Sequence, residues 1–215
     1  MKKRKYLLLL NILLLASCNS KLPLPEVQDG YLGKQFGVDK NINMETIDKY
    51  LNRDDVCYRD VRMLIDPANY ENIGGDSYLS GFIKGFEVVP YPFLAPTIGL
   101  PSEVGIGYQG ETLFTIENDE YVANYSESMS LLEELFPKDL KIFLMCGGGG
   151  YASMTKNLLI SLGWNKDNIY NIGGYWYYDG ENNIEVKYID KEGKENYDFS
   201  KVNYHEIDFT NLTKI

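Results

Sequence analysis

Histidine, cysteine and tryptophan are scarce in this sequence. Its 215 residues include one histidine, His205, with three cysteines and two tryptophans. No Cys-x-x-Cys pair and no second histidine complete the ligand patterns of zinc sites. We therefore expect no metal centre in this protein.

Basic residues are also few. Lysine and arginine number 21 against 31 acidic residues, a net charge of −10, and four of the 21 lie within residues 2–5. Without those four, 17 basic residues face 31 acidic ones, a net charge of −14. Such a surface repels phosphate backbones, so we expect no nucleic-acid partner. A site for small anions has to be built locally, from backbone amides or one or two placed side chains.

No apolar run near the start is long enough to span a membrane. The run from residue 6 to residue 15 falls short of the about 20 residues that a transmembrane helix needs. It follows the basic cluster and precedes Ala16, Ser17 and Cys18, which is the arrangement of a secretory signal peptide. Residues 15–18, LASC, also resemble the lipobox of bacterial lipoproteins.

That resemblance implies removal of residues 1–17 as a signal peptide and attachment of diacylglycerol to the Cys18 sulfur. The mature protein is then lipid-anchored at the extracytoplasmic face of the cell membrane. An ordinary cleaved signal with an incidental cysteine is the alternative. Residues 18–42 are rich in proline and glycine, and we expect them to form the lipidated tether.

Two further cysteines, Cys57 and Cys146, lie in a chain predicted to reach an oxidising compartment. The sequence leaves open whether they form a disulfide. We expect Cys57 to be buried and inert, because a free cysteine behaves as a small hydrophobe.

Downstream, apolar segments typical of strands alternate with helical patterns. This alternation predicts an α/β domain with a mainly parallel sheet. Residues 91–125 lack clear periodicity and are expected to form a long insertion with one hairpin, and residues 181–215 to form a C-terminal hairpin extension. The predicted strands are 63–65, 87–89, 141–145 and 169–172, and the predicted helices start near 43, 126 and 152.

Cys146 follows a predicted buried strand and precedes four glycines and a helix. Glycine tolerates positive φ, so the backbone amides of the loop can point toward the sulfur, and the positive end of the helix favours the thiolate. The same donors can hold an anion against the nucleophile. The predicted substrate-binding residues are Gly147, Gly148, Gly149, Gly150 and Tyr151.

A glycine-rich phosphate loop with an incidental cysteine is the alternative for this segment. It is disfavoured because no lysine follows at the P-loop position and the spacing differs from that of dinucleotide-binding loops. We therefore expect no cofactor.

Several segments between residues 43 and 180 resemble a rhodanese-like domain in their order and spacing. They are LID at 64–66, GFIKGFEVVP at 81–90, IFLMC at 142–146 with its loop and helix, LGW at 162–164, and IYNIGGYW at 169–176. The resemblance implies a central, mainly parallel sheet flanked by helices. In active members, it also implies a cysteine that takes sulfane sulfur from a donor as a persulfide and passes it to a nucleophilic acceptor.

The sequence departs from that family at the site. Tyr151 stands where many active members have arginine or threonine, and Phe82 replaces a histidine. Asp66 is followed by Pro67 and Ala68, where the family often has an arginine within two residues. We expect Asp66 to support the site as a loop-anchoring hydrogen-bond acceptor. Family members that act as phosphatases have a longer loop ending in arginine, which this chain lacks.

Two functions follow from these features. The first is a cell-envelope sulfurtransferase in which Cys146 moves sulfur from a small sulfur-containing donor to a thiol or other thiophilic acceptor. The second is a catalytically inactive binding or sensing module of the same fold on the cell surface.

Overall fold

The computed structural model describes residues 21–32 and 35–215, without the side chains of residues 31–36. The predicted signal peptide and the lipidation site at Cys18 lie outside the described residues. Among the helices of the described part, none is long and apolar enough to cross a membrane.

The described residues form short strands, α-helices and 3-10 turns. The strands are β1 (Asp29–Leu32), β2 (Gln35–Asp39), β3 (Val56–Asp60), β4 (Gly81–Ile83), β5 (Glu87–Val88), β6 (Phe114–Glu117), β7 (Glu120–Ala123), β8 (Lys141–Cys146), β9 (Ile169–Gly174), β10 (Asn183–Glu185), β11 (Lys187–Ile189) and β12 (Glu195–Tyr197). The α-helices are α1 (Tyr91–Leu94), α2 (Ser128–Leu135) and α3 (Gly150–Ser161). The 3-10 turns are Ile47–Tyr50, Tyr70–Ile73, Ser102–Val104, Lys166–Asn168, Tyr175–Tyr177, Phe199–Lys201 and Phe209–Asn211.

The centre of the fold is a four-stranded sheet in the order β5-β3-β8-β9, with all neighbours parallel. Both faces of such a sheet are covered, so its inner strands need apolar residues at consecutive positions. β8 meets this requirement, because every residue after Lys141 in that strand is buried. The α/β class and the parallel sheet predicted from the sequence are confirmed.

The strand beside β8 is not the predicted one. β3 pairs with β8 through Cys57 opposite Ile142 and Asp60 opposite Met145. The predicted strand 63–65 is instead a loop, in which Ile65 is 51% exposed and makes one isolated bridge to Tyr78. The prediction was wrong because residues 63–65 are all apolar, whereas β3 includes the charged residues Arg59 and Asp60 and therefore has a shorter apolar run than β8.

The two faces of the sheet have different covers. Alternate residues of β8 point to opposite sides, as in any strand, so Leu144 packs with α2 and α3 while Phe143 packs on the other face. On that second face the cover is formed by the N-terminal segment and the 3-10 turn Ile47–Tyr50, through Leu24, Val27, Ile42 and Ile47. The α-helices therefore lie on one face of the sheet rather than on both.

The segment expected to be a tether contributes to the domain. β1 and β2 form an antiparallel hairpin, and the Tyr170 hydroxyl donates a hydrogen bond to the Pro25 carbonyl, 2.6 Å. The start of the described chain is held at the amino edge of the sheet: Arg53 Nη1 donates to the Leu22 carbonyl, 2.6 Å, and Lys21 pairs with Asp54. Residues 21–32 and 35–42, before the 3-10 turn Ile47–Tyr50, form an N-terminal strap that contacts the domain, despite its proline and glycine content.

The predicted insertion and extension each contain a hairpin. β6 pairs with β7 inside 91–125, and β11 pairs with β12 after residue 181. The C-terminal tail then runs along the outer strand β5, where Tyr204 forms a parallel bridge with Val88. This tail satisfies part of a sheet edge that would otherwise be open to pairing with another chain.

Replacing Phe143 by alanine is expected to lower the free energy of unfolding by about 3–5 kcal/mol, because it empties the space of a buried ring. Phe143 is fully buried and meets the rings of Tyr58 and Tyr170 edge-on, with centroids 5.5 and 5.0 Å away. Urea unfolding measures the loss. The control is Tyr188→Ala, since this ring is about half exposed; a change within about 0.5 kcal/mol is expected there. Equal losses for the two variants would contradict the core assignment.

Candidate functional site

Cys146 ends β8 at the carboxyl edge of the sheet, and the glycine loop leads from it into α3. The Gly149 amide donates a hydrogen bond to the Cys146 sulfur, 3.0 Å. Gly149 has φ of 94° and is the residue before the helix, a conformation that favours glycine. Of the four loop glycines, Gly149 alone has positive φ. The expected inward turn of the loop amides therefore rests on this residue.

The first two glycines of the loop lie close to Trp176, which excludes a side chain at Gly147 and crowds one at Gly148. A Cβ atom on Gly147 would lie 2.4 Å from Trp176 Cζ2, and one on Gly148 would lie 3.0 Å from Trp176 Cζ3. The Trp176 amide also donates to the Gly147 carbonyl, 3.1 Å. A Cβ on Gly150, by contrast, would meet nothing within 4 Å. The indole thus covers the first half of the loop and leaves its helical end open.

An ion pair lies beneath the loop. Arg62 is 5% exposed, and its Nε donates to the Asp60 carboxylate, 2.9 Å, while Nη2 donates to the Gly81 carbonyl, 2.8 Å. The guanidinium also lies over the Tyr175 ring, 4.4 Å from its centroid. Arg62 Nη1 is buried and has no hydrogen-bond partner among the described residues. Among the described residues, the two N–H bonds of this nitrogen therefore have no acceptor.

Sequence reasoning missed Asp60 and Arg62, since it placed the first strand and its aspartate at 64–66. The available signal was the spacing DVR at 60–62, an aspartate followed two residues later by arginine. Asp60 is the end of β3 and is fully buried, so it occupies the strand-end position that had been assigned to Asp66.

Asp66 does reach the site, as an anchor. Its carboxylate accepts hydrogen bonds from the Ala68 amide, 2.9 Å, and from the Tyr151 hydroxyl, 2.9 Å. The Tyr70 hydroxyl in turn donates to the Tyr151 oxygen, 2.8 Å. Burial raises the pKa of Asp66 and of both phenols. Because the Tyr151 hydroxyl donates its proton to Asp66, Tyr151 holds the loop that contains Asp66 against α3 and does not offer a donor to an anion.

A cavity of about 490 Å³ opens above the loop. Cys146 borders it, as do Asp66, Tyr151 and the loop glycines except Gly149, so the structure brings the predicted site residues together. The other lining residues are Arg62, Met63, Tyr70, Ile73, Asp76, Ser77, Tyr78, Gly99, Leu100, Pro101, Glu103, Met154, Trp176 and Tyr177. Part of the wall, residues 99–103, comes from the predicted insertion.

The resting form of Cys146 differs from the expected thiolate. Its side chain is 2% exposed, and burial raises the pKa of the Cys146 thiol. The Ala152 and Gly149 amides and the Arg62 charge lower this pKa, and the Asp60 charge raises it, but desolvation is the largest effect. At neutral pH the resting side chain is therefore a thiol, poised beside groups that stabilise its anion.

The question of a disulfide is settled by position. Cys57 lies in the middle of β3 and Cys146 at the end of β8, and both are free. Burial raises the pKa of Cys57 to about 11, which fits the expected inert role.

No family model, no curated protein and no solved structure matches this chain. Among the described residues, no group of three histidine, cysteine, aspartate or glutamate side chains is arranged to hold a metal ion. In the part of the chain that the structure describes, the groups that could carry chemistry at this site are the cysteine, the ion pair and the cavity walls.

Gly147→Ala is expected to push the Trp176 indole off the loop and to cost about 1–3 kcal/mol of stability through overpacking. The measurements are urea unfolding and tryptophan emission, which should shift to longer wavelength as the indole becomes hydrated. Gly150→Ala, at the open position, is the matched control and should leave both unchanged or slightly improve stability. A normal spectrum and stability for Gly147→Ala would refute the close approach.

The rate of Cys146 alkylation by iodoacetamide is expected to reach half its maximum above pH of about 8.5, the ordinary cysteine value. Arg62→Met should move this midpoint further up, because it removes a cation and leaves the Asp60 charge uncompensated. Arg62→Lys should move it less, and Lys138→Met, at an exposed position, should not move it. Rates from Cys146→Ser are subtracted. A midpoint below the ordinary value would contradict the dominance of burial.

Proposed function

We propose that this protein is a sulfurtransferase of the rhodanese type in which Cys146 carries sulfur as a persulfide. The observation that carries the proposal is the position of the cysteine. It ends a parallel strand, accepts a hydrogen bond from the loop before α3, and lies at the floor of a cavity large enough for a small organic molecule. This is the arrangement of a nucleophile and an anion cradle built from one loop.

The corrected first strand strengthens the resemblance. With the aspartate at position 60, an arginine follows within two residues, as it often does in the family that the sequence resembles. Arg62 lies next to Cys146 and is the cation that the glycine loop itself lacks. The departure at Tyr151 therefore does not leave the site without a positive charge.

The proposed reaction has two steps and no net oxidation. In the first, the Cys146 thiol loses its proton to solvent, and the resulting thiolate attacks the terminal sulfur of a donor R–S–SH. An Sγ–S bond forms, the donor S–S bond breaks, and its electron pair leaves on R–S⁻. In the second, a thiolate acceptor attacks the outer sulfur, the Sγ–S bond breaks, and Cys146 recovers the electron pair as thiolate. The amides of Gly149 and Ala152 and the Arg62 charge favour the anionic sulfur in both steps.

We further propose that the protein acts at the extracytoplasmic face of the cell membrane, held by a lipid on Cys18. The support is the LASC motif after the apolar run. The donor and the acceptor are then small molecules or thiols of that compartment.

One observation favours the alternative, a binding or sensing module. The Cys146 sulfur is almost fully buried and its pKa is raised, both of which slow a nucleophile. A module of this kind would use the aromatic cavity for its ligand and would not need the thiol.

Cys146 is expected to gain about 32 Da, one sulfur atom, when the reduced full-length protein in detergent is treated with a low-molecular-weight organic persulfide, because its thiolate is the attacking group. Intact mass before and after reduction measures the gain. Cys146→Ser should show none, and Cys57→Ala should keep it.

A failure to gain this mass, in protein whose Cys146 still reacts with an alkylating agent, would overturn the sulfur-carrier proposal. If Cys146→Ser in the same preparation still binds the organic persulfide, the binding module is then favoured.

A further inference from the structure

We propose that the sulfur donor is an organic persulfide whose carrier bears a positive charge, and that Asp76 and Glu103 recognise this charge. The proposal rests on the proposed function, because it concerns the donor of the Cys146 reaction. It follows from a difference between the inner and outer ends of the cavity.

The inner end suits the sulfur. Two residues that line the cavity each carry a buried donor atom, Arg62 Nη1 and Trp176 Nε1, that has no hydrogen-bond partner among the described residues. Arg62 is close enough to Cys146 for their charges to interact, and the Trp176 indole lies on Gly147. Buried donors without a partner favour a ligand that supplies an acceptor, and the sulfur that becomes negatively charged as the S–S bond of the donor breaks is such an acceptor.

The inner end does not attract a free dianion such as thiosulfate. The Arg62 charge is already balanced by the Asp60 carboxylate, which it contacts through Nε and Nη2. Arg62 is the only basic residue among those that line the cavity. The site therefore offers directed N–H groups for one partial negative charge rather than a surplus of positive charge.

The middle of the cavity can hold the organic carrier of the persulfide. Its volume of about 490 Å³ is within the range of pockets that hold small organic molecules, and aromatic rings form much of its wall. Tyr70 and Trp176 meet with ring centroids 5.6 Å apart, and Tyr78 and Tyr177 also line the cavity. Aromatic faces attract both apolar groups and organic cations.

The outer end carries negative charge. Glu103 is exposed and Asp76 is half-buried, so both lie closer to solvent than Cys146 and Arg62. Neither carboxylate takes part in an ion pair among the described residues. The lysine whose charge interacts with Asp76, Lys187, is itself paired with Glu195, 2.6 Å. A cationic group at the mouth would meet two uncompensated carboxylates and the aromatic wall.

Three persulfides of equal chain length test the proposal: those of cysteamine, 2-mercaptoethanol and 3-mercaptopropionate, which end in ammonium, hydroxyl and carboxylate. The initial rate of Cys146 persulfide formation is measured by intact mass with the full-length protein in detergent. At low salt we expect the ammonium donor to react about tenfold faster than the hydroxyl donor, and the carboxylate donor to be slowest. The order should weaken as salt is added.

The double variant Asp76→Asn, Glu103→Gln should lower the ammonium rate to within about twofold of the hydroxyl rate of the same variant. Glu120→Gln, at an exposed position on β7, is the matched control and should keep the preference. The alkylation rate of Cys146 shows that each variant remains folded around the site.

Equal rates for the three donors, or a preference that survives the double variant, would overturn this inference and leave the sulfurtransferase proposal in place. No persulfide from any donor, with Cys146 still open to alkylation, would overturn the proposed function itself. The two failures are therefore distinguishable.

Discussion

The buried ion pair between Asp60 and Arg62 connects the sheet to the cavity. Asp60 ends β3, and Arg62 reaches across to the Gly81 carbonyl of β4 and to the Tyr175 ring beyond β9. A buried charge without its partner costs several kcal/mol, so the positions of both residues are tightly constrained. Because the charges of the pair act on Cys146, the same constraint that connects β3, β4 and the 3-10 turn after β9 also affects the electrostatics of the sulfur.

The packing of Trp176 on the glycine loop has a comparable double effect. The indole leaves no room for a side chain at Gly147 and little at Gly148, and Gly174 approaches the Gly147 carbonyl so closely that its own Cβ would lie 2.2 Å away. The loop is thereby held between β9 and the indole. A rigid cradle of this kind places its donors before a substrate arrives, which is what electrostatic stabilisation of a transition state needs.

Part of this architecture was predictable from the sequence. The uniform apolar run of β8 and the change to glycine and then to helical periodicity located Cys146, the loop and α3 correctly. β3 was missed because its polar residues are satisfied by tertiary contacts: Arg59 pairs with Glu87 of the neighbouring strand, 2.7 Å, and Asp60 with Arg62. Periodicity cannot register a partner such as Glu87, which lies 28 positions from Arg59 in the sequence.

The same limit applies to the site and to the N-terminal segment. Asp66 was located near the loop, but its bond to Tyr151 depends on two side chains 85 positions apart. The sequence predicted a tether at this segment because a composition rich in proline and glycine is typical of flexible linkers. Composition does not show individual tertiary contacts. A few contacts, such as the one between Tyr170 and the Pro25 carbonyl, are enough to hold such a segment in place.

The position of the N-terminal strap has a consequence for how the protein would face a membrane. Leu22 is bound at the amino edge of the sheet, whereas Cys146 and its cavity lie at the carboxyl edge. Three peptide steps separate Cys18 from Lys21, and they can span at most about 11 Å. A lipid on Cys18 would therefore hold the domain close to the bilayer with its cavity turned outward, so that donor and acceptor would arrive from the aqueous side.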